Sequence, residues 1–81
     1  MKKGVVTVKE WFFDKVNDTC RSYNCQLVGE YKDDMLDHTK LRVEEVLAET
    51  EKAYKVVLDA ETANGHAKAW TTWIPKSVII G

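Results

Sequence analysis

The sequence predicts an α+β domain in which an N-terminal helix packs on a small antiparallel β-sheet or a partly closed barrel. Three observations carry that expectation. Apolar residues from Val8 to Cys20 recur at helical spacing, residues from Leu41 to Ala60 alternate as strands do, and Asn64-Gly65 separates two runs that can pair as a hairpin. With 81 residues, 44% hydrophobic and 31% charged, one domain over 1–81 is expected. A single Pro and four Gly argue against long disorder.

Thr7-Val8-Lys9-Glu10 has the spacing of a capping box, in which the Thr oxygen accepts from an N–H three residues on and the Glu reaches back. A helix is therefore expected over about 7–21. Val8, Trp11, Phe12, Lys15, Val16, Thr19 and Cys20 would share one face, with Lys15 at its flank. Lys9, Glu10, Asp14, Asn17 and Asp18 would face water, and the helix would stop near Ser22-Tyr23-Asn24.

The β-rich region is expected over about 26–80, beginning with a short strand at 26–31 and a polar loop or single helical turn at 32–38. From Leu41 to Leu58 the apolar positions fit either a helix or two strands, and pairing favours strands. A two-residue type I′ turn at Asn64-Gly65 would set Glu61 opposite Lys68, Leu58 opposite Thr71 and Val56 opposite Trp73. A second turn at Thr50-Glu51 would set Leu47 opposite Tyr54, Val43 opposite Leu58 and Leu41 opposite Ala60. Both turns bring the apolar residues to one face, and such agreement supports the strand reading. Glu45 is the exception, pointing inward unless a bulge near Val46 rotates it out. In this register Trp73 is a core residue. Trp70 then faces the other side, either covered by the helix or open to a partner.

Pro75 cannot donate to a ladder, so it ends a strand; Lys76-Ser77 can make a 3₁₀ turn, and Val78-Ile79-Ile80 a last strand. "WIPKSVI" resembles the close of SH3-like small barrels, where a strand ending in hydrophobic-Pro leads through a 3₁₀ turn to a final short strand. "AETEKAYKVVLD" followed by "WIPKSVI" is also similar to a recurring pattern in small proteins of phages and other mobile elements. That resemblance covers about 41–80 and implies origin, fold and a role in phage–host interaction. It brings no catalytic or ligand residues with it.

Formal charge is −1, with the acids concentrated centrally: residues 30–61 hold ten acids against five Lys/Arg, and residues 62–81 hold two Lys and no acid. A net-acidic domain lacks the basic footprint behind most nucleic-acid affinity, so a basic-surfaced protein partner is expected first. Lys9 and Glu10 interrupt the apolar stretch after Met1-Lys2-Lys3 before a signal-peptide core is reached, and no run has the length of a membrane span. A cytoplasmic protein with reduced Cys20 and Cys25 is expected.

Cys20, Cys25 and His38 match the first three ligands of a C2H2 zinc site, but His66 comes far too late to be the fourth. No metal and no cofactor are expected. Cys25 with either His lacks a recognisable orienting group or oxyanion motif, the adjacent carboxylates of Asp33-Asp34 and Glu44-Glu45 read as solvated surface, and the glycines sit singly. No enzyme activity is expected.

What remains is binding. The candidate surface is Trp70 and Tyr31 as aromatic anchors with Asp33, Asp34, Glu44, Glu49 and Lys68 as charged contacts. Such a protein, a monomer or homodimer, would modulate or inhibit a nucleic-acid-handling host or defence protein, as an anti-CRISPR does. The alternative is a nucleic-acid-binding small β-barrel, with Trp70 and Tyr31 stacking on bases and Lys55, Lys68 and Lys76 meeting phosphates.

Overall fold

The computed structural model describes the backbone of residues 3–33 and 38–80, and the side chains of 3–28 and 38–80. The chain runs β1 (Gly4–Lys9), α1 (Glu10–Arg21), β2 (Cys25–Leu27), β3 (Gly29–Asp33), β4 (His38–Glu49), β5 (Ala53–Thr62), β6 (Ala67–Pro75) and a 3₁₀ turn at Lys76–Val78. Helix and antiparallel sheet form as expected, and the sheet has six strands. It is not closed into a barrel. Among the described residues β6 pairs with β5 alone, and β1 reaches the C-terminal segment through one bridge, Val8 to Ile79, and the Ile80 N–H bond to the Thr7 carbonyl at 2.8 Å.

The register fixes how the sheet is laid out. Val43 pairs with Gly4 of β1 and Leu58 of β5, so those strands lie on opposite edges of β4. Thr39 pairs with Val8 and Lys32, which puts β3 on the edge that β5 also uses. Likewise β2 pairs with 60–62 of β5 while β4 pairs with 54–58. Thus β4 and β5 hold together near their turn and then part, and β2–β3 fills the split. Within the β3–β4 pairing the register shifts between Gly29 and Tyr31.

The helix starts later than its capping-box signal predicts. Thr7 lies inside β1, and the N-cap is Lys9, with no side-chain cap bond. Val6 and Val8 are buried while Val5 is exposed, so this segment alternates as a strand does. Six pairings from Gly4–Val43 to Lys9–His38 outweigh a cap worth about 1 kcal/mol. The buried stripe of α1 is accordingly Phe12, Val16 and Cys20. Trp11, placed on that stripe by periodicity, is 56% exposed and meets Phe12 edge-on, with ring centroids 6.1 Å apart.

Asn17, assigned to the water-facing side, is buried instead. Its Oδ1 accepts the Leu27 N–H at 2.9 Å and so ties the helix to β2. Next to it, Cys25 Sγ donates to the Cys20 carbonyl at 3.1 Å. The helix closes with Tyr23 N–H on the Cys20 carbonyl and Asn24 N–H on that of Arg21, both at 3.0 Å. Asn24 then takes φ 63°, a left-handed conformation that Asn tolerates better than most residues, and turns the chain into β2.

Strands were the right reading of 41–58, and Val43 does face Leu58. Register shifts between Val43 and Glu45 and between Val46 and Ala48 mark bulges, and Glu45 is rotated out to solvent. They also carry Leu47 away from Tyr54, which faces Glu49; Leu47 is exposed. The strand expected at 26–31 is divided between β2 and β3, and β3 runs to Asp33 into the expected loop, of which 34–37 lie outside the described residues.

The Asn64-Gly65 hairpin forms with a different loop. Gly65 N–H bonds to the Thr62 carbonyl at 2.9 Å and Thr62 N–H to that of His66 at 2.8 Å, so three residues are looped out. Gly65 has φ 81° while Asn64 does not have positive φ, which is the three-residue loop and excludes type I′. The register moves by one residue: Leu58 faces Trp70 and Lys55 faces Trp73. A slip of one exchanges the faces. Trp70, Thr72 and Ile74 therefore lie on the core side, and Trp73 lies outside.

Replacing Asn17 with Ala leaves the Leu27 N–H without its partner. Urea unfolding of N17A should show a loss of about 1–3 kcal/mol, well above that of an exposed polar-to-Ala change such as D18A.

Candidate interaction surface

The side of the sheet that holds Trp70 is also the side covered by α1. Phe12, Lys15, Val16 and Thr19 lie at i, i+3, i+4 and i+7 and form one wall of a groove. Residues Trp70 to Trp73 of β6, with Pro75, form the other. The volume is about 420 Å³, within the range of small-ligand and peptide sites. Trp70 is half-buried at the core margin, its ring 5.7 Å from that of Tyr23 and tilted by 54°. Trp73 is 45% exposed.

Two other hollows adjoin the sheet. One of about 390 Å³ lies between the end of α1 and the β5–β6 loop, crossed by a Gln26 Nε2 to Glu61 Oε1 hydrogen bond of 2.8 Å. The other, about 220 Å³, is lined by Glu44, Asp59 and Lys68 with aliphatic residues of β5 and β6.

Among the described residues, those singled out from the sequence lie at separate places on the sheet. Trp70 is on the helix side of β6, not opposite the core as the expected register had it. Glu44 and Lys68 both line the small hollow. Glu49 is at the far end of β4, where Lys76 Nζ approaches it to 2.6 Å and also lies 4.9 Å from the Tyr54 ring centroid. That contact holds the Glu49 carboxyl below, and the Lys76 ammonium above, their ordinary ranges. Tyr31 and Asp33 belong to β3, but their side chains, like all of Asp34, lie outside the described residues.

The residues named for the nucleic-acid alternative are spread over the sheet. Lys55 faces Trp73 on the outer side of the sheet, Trp70 lines the groove on the helix side, and Lys76 is engaged by Glu49. Sequence reasoning missed Phe12, Lys15, Val16 and Thr19 as a groove wall. Their helical spacing was visible, but it read as a stripe for the core alone.

Among the described residues no three His, Cys, Asp or Glu side chains are grouped to hold a metal ion, and no helix is long and apolar enough to cross a membrane. Cys20 is fully buried, and burial, reinforced by Cys25, pushes its thiol up to about 12. Compared with known proteins, the chain matches no family model, no curated protein and no solved structure.

Two measurements check these placements. W70A should lose about 2–4 kcal/mol of stability and W73A less than about 1, the reverse of the order expected from a type I′ register. Because Cys20 stays protonated in the fold, its contribution is complete below about pH 9 and falls as pH rises toward 12, by at most about 1.4 kcal/mol per unit. Alkaline denaturation of C20S should be correspondingly flatter than that of the wild-type chain.

Proposed function

We propose that this chain is a small non-catalytic protein-binding module. The observation that carries the reading is the α1–β6 groove, where a strand bearing two tryptophans, its outer edge unpaired among the described residues, lies beside a helix. Trp and Tyr supply large contact area with few rotors, and Trp70, Trp73 and Tyr23 are gathered at or next to this groove. The exposed Glu44, Glu45, Glu49 and Glu51 on the β4–β5 ribbon add a field that would speed encounter with a basic partner surface.

The Pro75 break, the 3₁₀ turn and the return of Ile79–Ile80 to β1 support reading the fold as an opened relative of SH3-like barrels. Together with the sequence resemblance to small phage and mobile-element proteins, this favours a modulator of a host or defence protein that handles nucleic acid, acting inside the host cell.

Affinity recovery from host lysate, with and without nuclease, tests the reading. A specific protein should be retained after nuclease digestion. Loss of all specific partners on digestion would point to nucleic acid instead, and an absence of any specific partner would remove the proposal.

A further inference from the structure

Resting on the binding reading above, the backbone of β6 narrows what kind of partner fits. At its two ends, the His66 carbonyl accepts the Thr62 N–H and the Lys76 N–H bonds to the Lys52 carbonyl, each at 2.8 Å. The pairing between runs without a register shift. Even-numbered residues of β6 therefore aim their N–H and C=O groups at β5, and the odd-numbered Ala67, Ala69, Thr71 and Trp73 aim theirs at the free edge. Lys68 and Pro75, residues that commonly guard an edge, stand near the ends of β6, and Ala69 to Trp73 between them carry no charge.

The groove lies along this open stretch, and among the described residues Lys15 is the one charged residue lining it. No acid occurs in residues 62–81, so the strand itself adds no negative charge. We propose that the α1–β6 groove takes an extended peptide that pairs with the edge at Ala69, Thr71 and Trp73, and sets apolar side chains against Phe12 and Val16 and a carboxylate beside Lys15. Strand addition draws affinity from main-chain bonds and specificity from alternate side chains. Ala69 to Trp73 spans about 14 Å, enough for five peptide residues. A peptide side chain on the helix side would enter the groove, and its neighbours on either side would face outward.

The test screens the intact protein against a displayed library of linear peptides, and measures synthetic copies of the enriched sequences by tryptophan fluorescence. Enriched peptides should be extended, apolar and acidic, and N-methylation of alternate amides should abolish binding while methylation of the intervening ones leaves it. K15E should weaken acidic peptides by roughly tenfold and favour their lysine-substituted counterparts. T71P removes an N–H that the register aims away from β5, so it should abolish binding in a protein that keeps its β-sheet circular dichroism; if it unfolds, K15E and the methylation series still decide.

Binding indifferent to N-methylation, or no enrichment of acidic sequences, would overturn the inference. A dimer that K15E or T71P dissolves would give the edge to a second copy and overturn it as well. Lysate partner capture that survives both substitutions would sink the groove inference alone and leave the binding module intact, whereas capture of nothing by any form would sink both.

Discussion

The left-handed conformation of Gly65 is the constraint on which the functional surface depends. It closes a three-residue loop between β5 and β6 and so sets Leu58, not Val56, in line with a tryptophan on the core side. From that one-residue choice follow the burial of Ile74, the half-burial of Trp70 against Tyr23, and the exposure of Trp73. A glycine reaches φ 81° at little cost, whereas almost any side chain would be strained there. The turn thus decides which of the two tryptophans lies on the core side of the strand.

A second set of contacts holds the parts of the bent sheet together. β4 and β5 separate beyond Val43–Leu58, and the gap is taken by β2–β3, whose entry is anchored by Asn17 on α1. At the other end, Lys76 joins three elements at once. Its N–H meets the Lys52 carbonyl in the β4–β5 turn, its ammonium pairs with Glu49, and it also lies over the Tyr54 ring. An exposed ion pair alone contributes little, but here the backbone bond fixes the geometry first. The Glu49 contribution is present above the ordinary carboxylate range and is lost as pH falls through its lowered pKa; that of Lys76 is lost as pH rises through its raised one.

The arrangement leaves an asymmetric molecule. One edge of the sheet, β1, is met by the chain's own Ile79 and Ile80, so a template for further pairing is blunted there. The other edge, β6, has no such cover among the described residues and faces a helix wall across a groove. Glu44, Glu49 and Lys68, chosen from the sequence for their charge, lie elsewhere on the sheet, and Glu49 is paired with Lys76.

Local patterns in the sequence determined the class of fold: helical spacing at Phe12, Val16 and Cys20, alternation along β4 and β5, a hairpin at Asn64-Gly65, and the Pro75–3₁₀ close all describe interactions between near neighbours. They could not fix how those neighbours meet distant segments. Whether Thr7 caps a helix or extends a strand depends on Lys40 across the sheet, and whether Asn17 faces water depends on Leu27. Loop length at Gly65 changes every cross-strand partner while leaving the alternation of β6 untouched, so period alone cannot tell Trp70 inside from Trp73 inside. Register, the split between β4 and β5, and the groove between α1 and β6 were decided only by tertiary packing, because each is a relation between residues far apart in the chain.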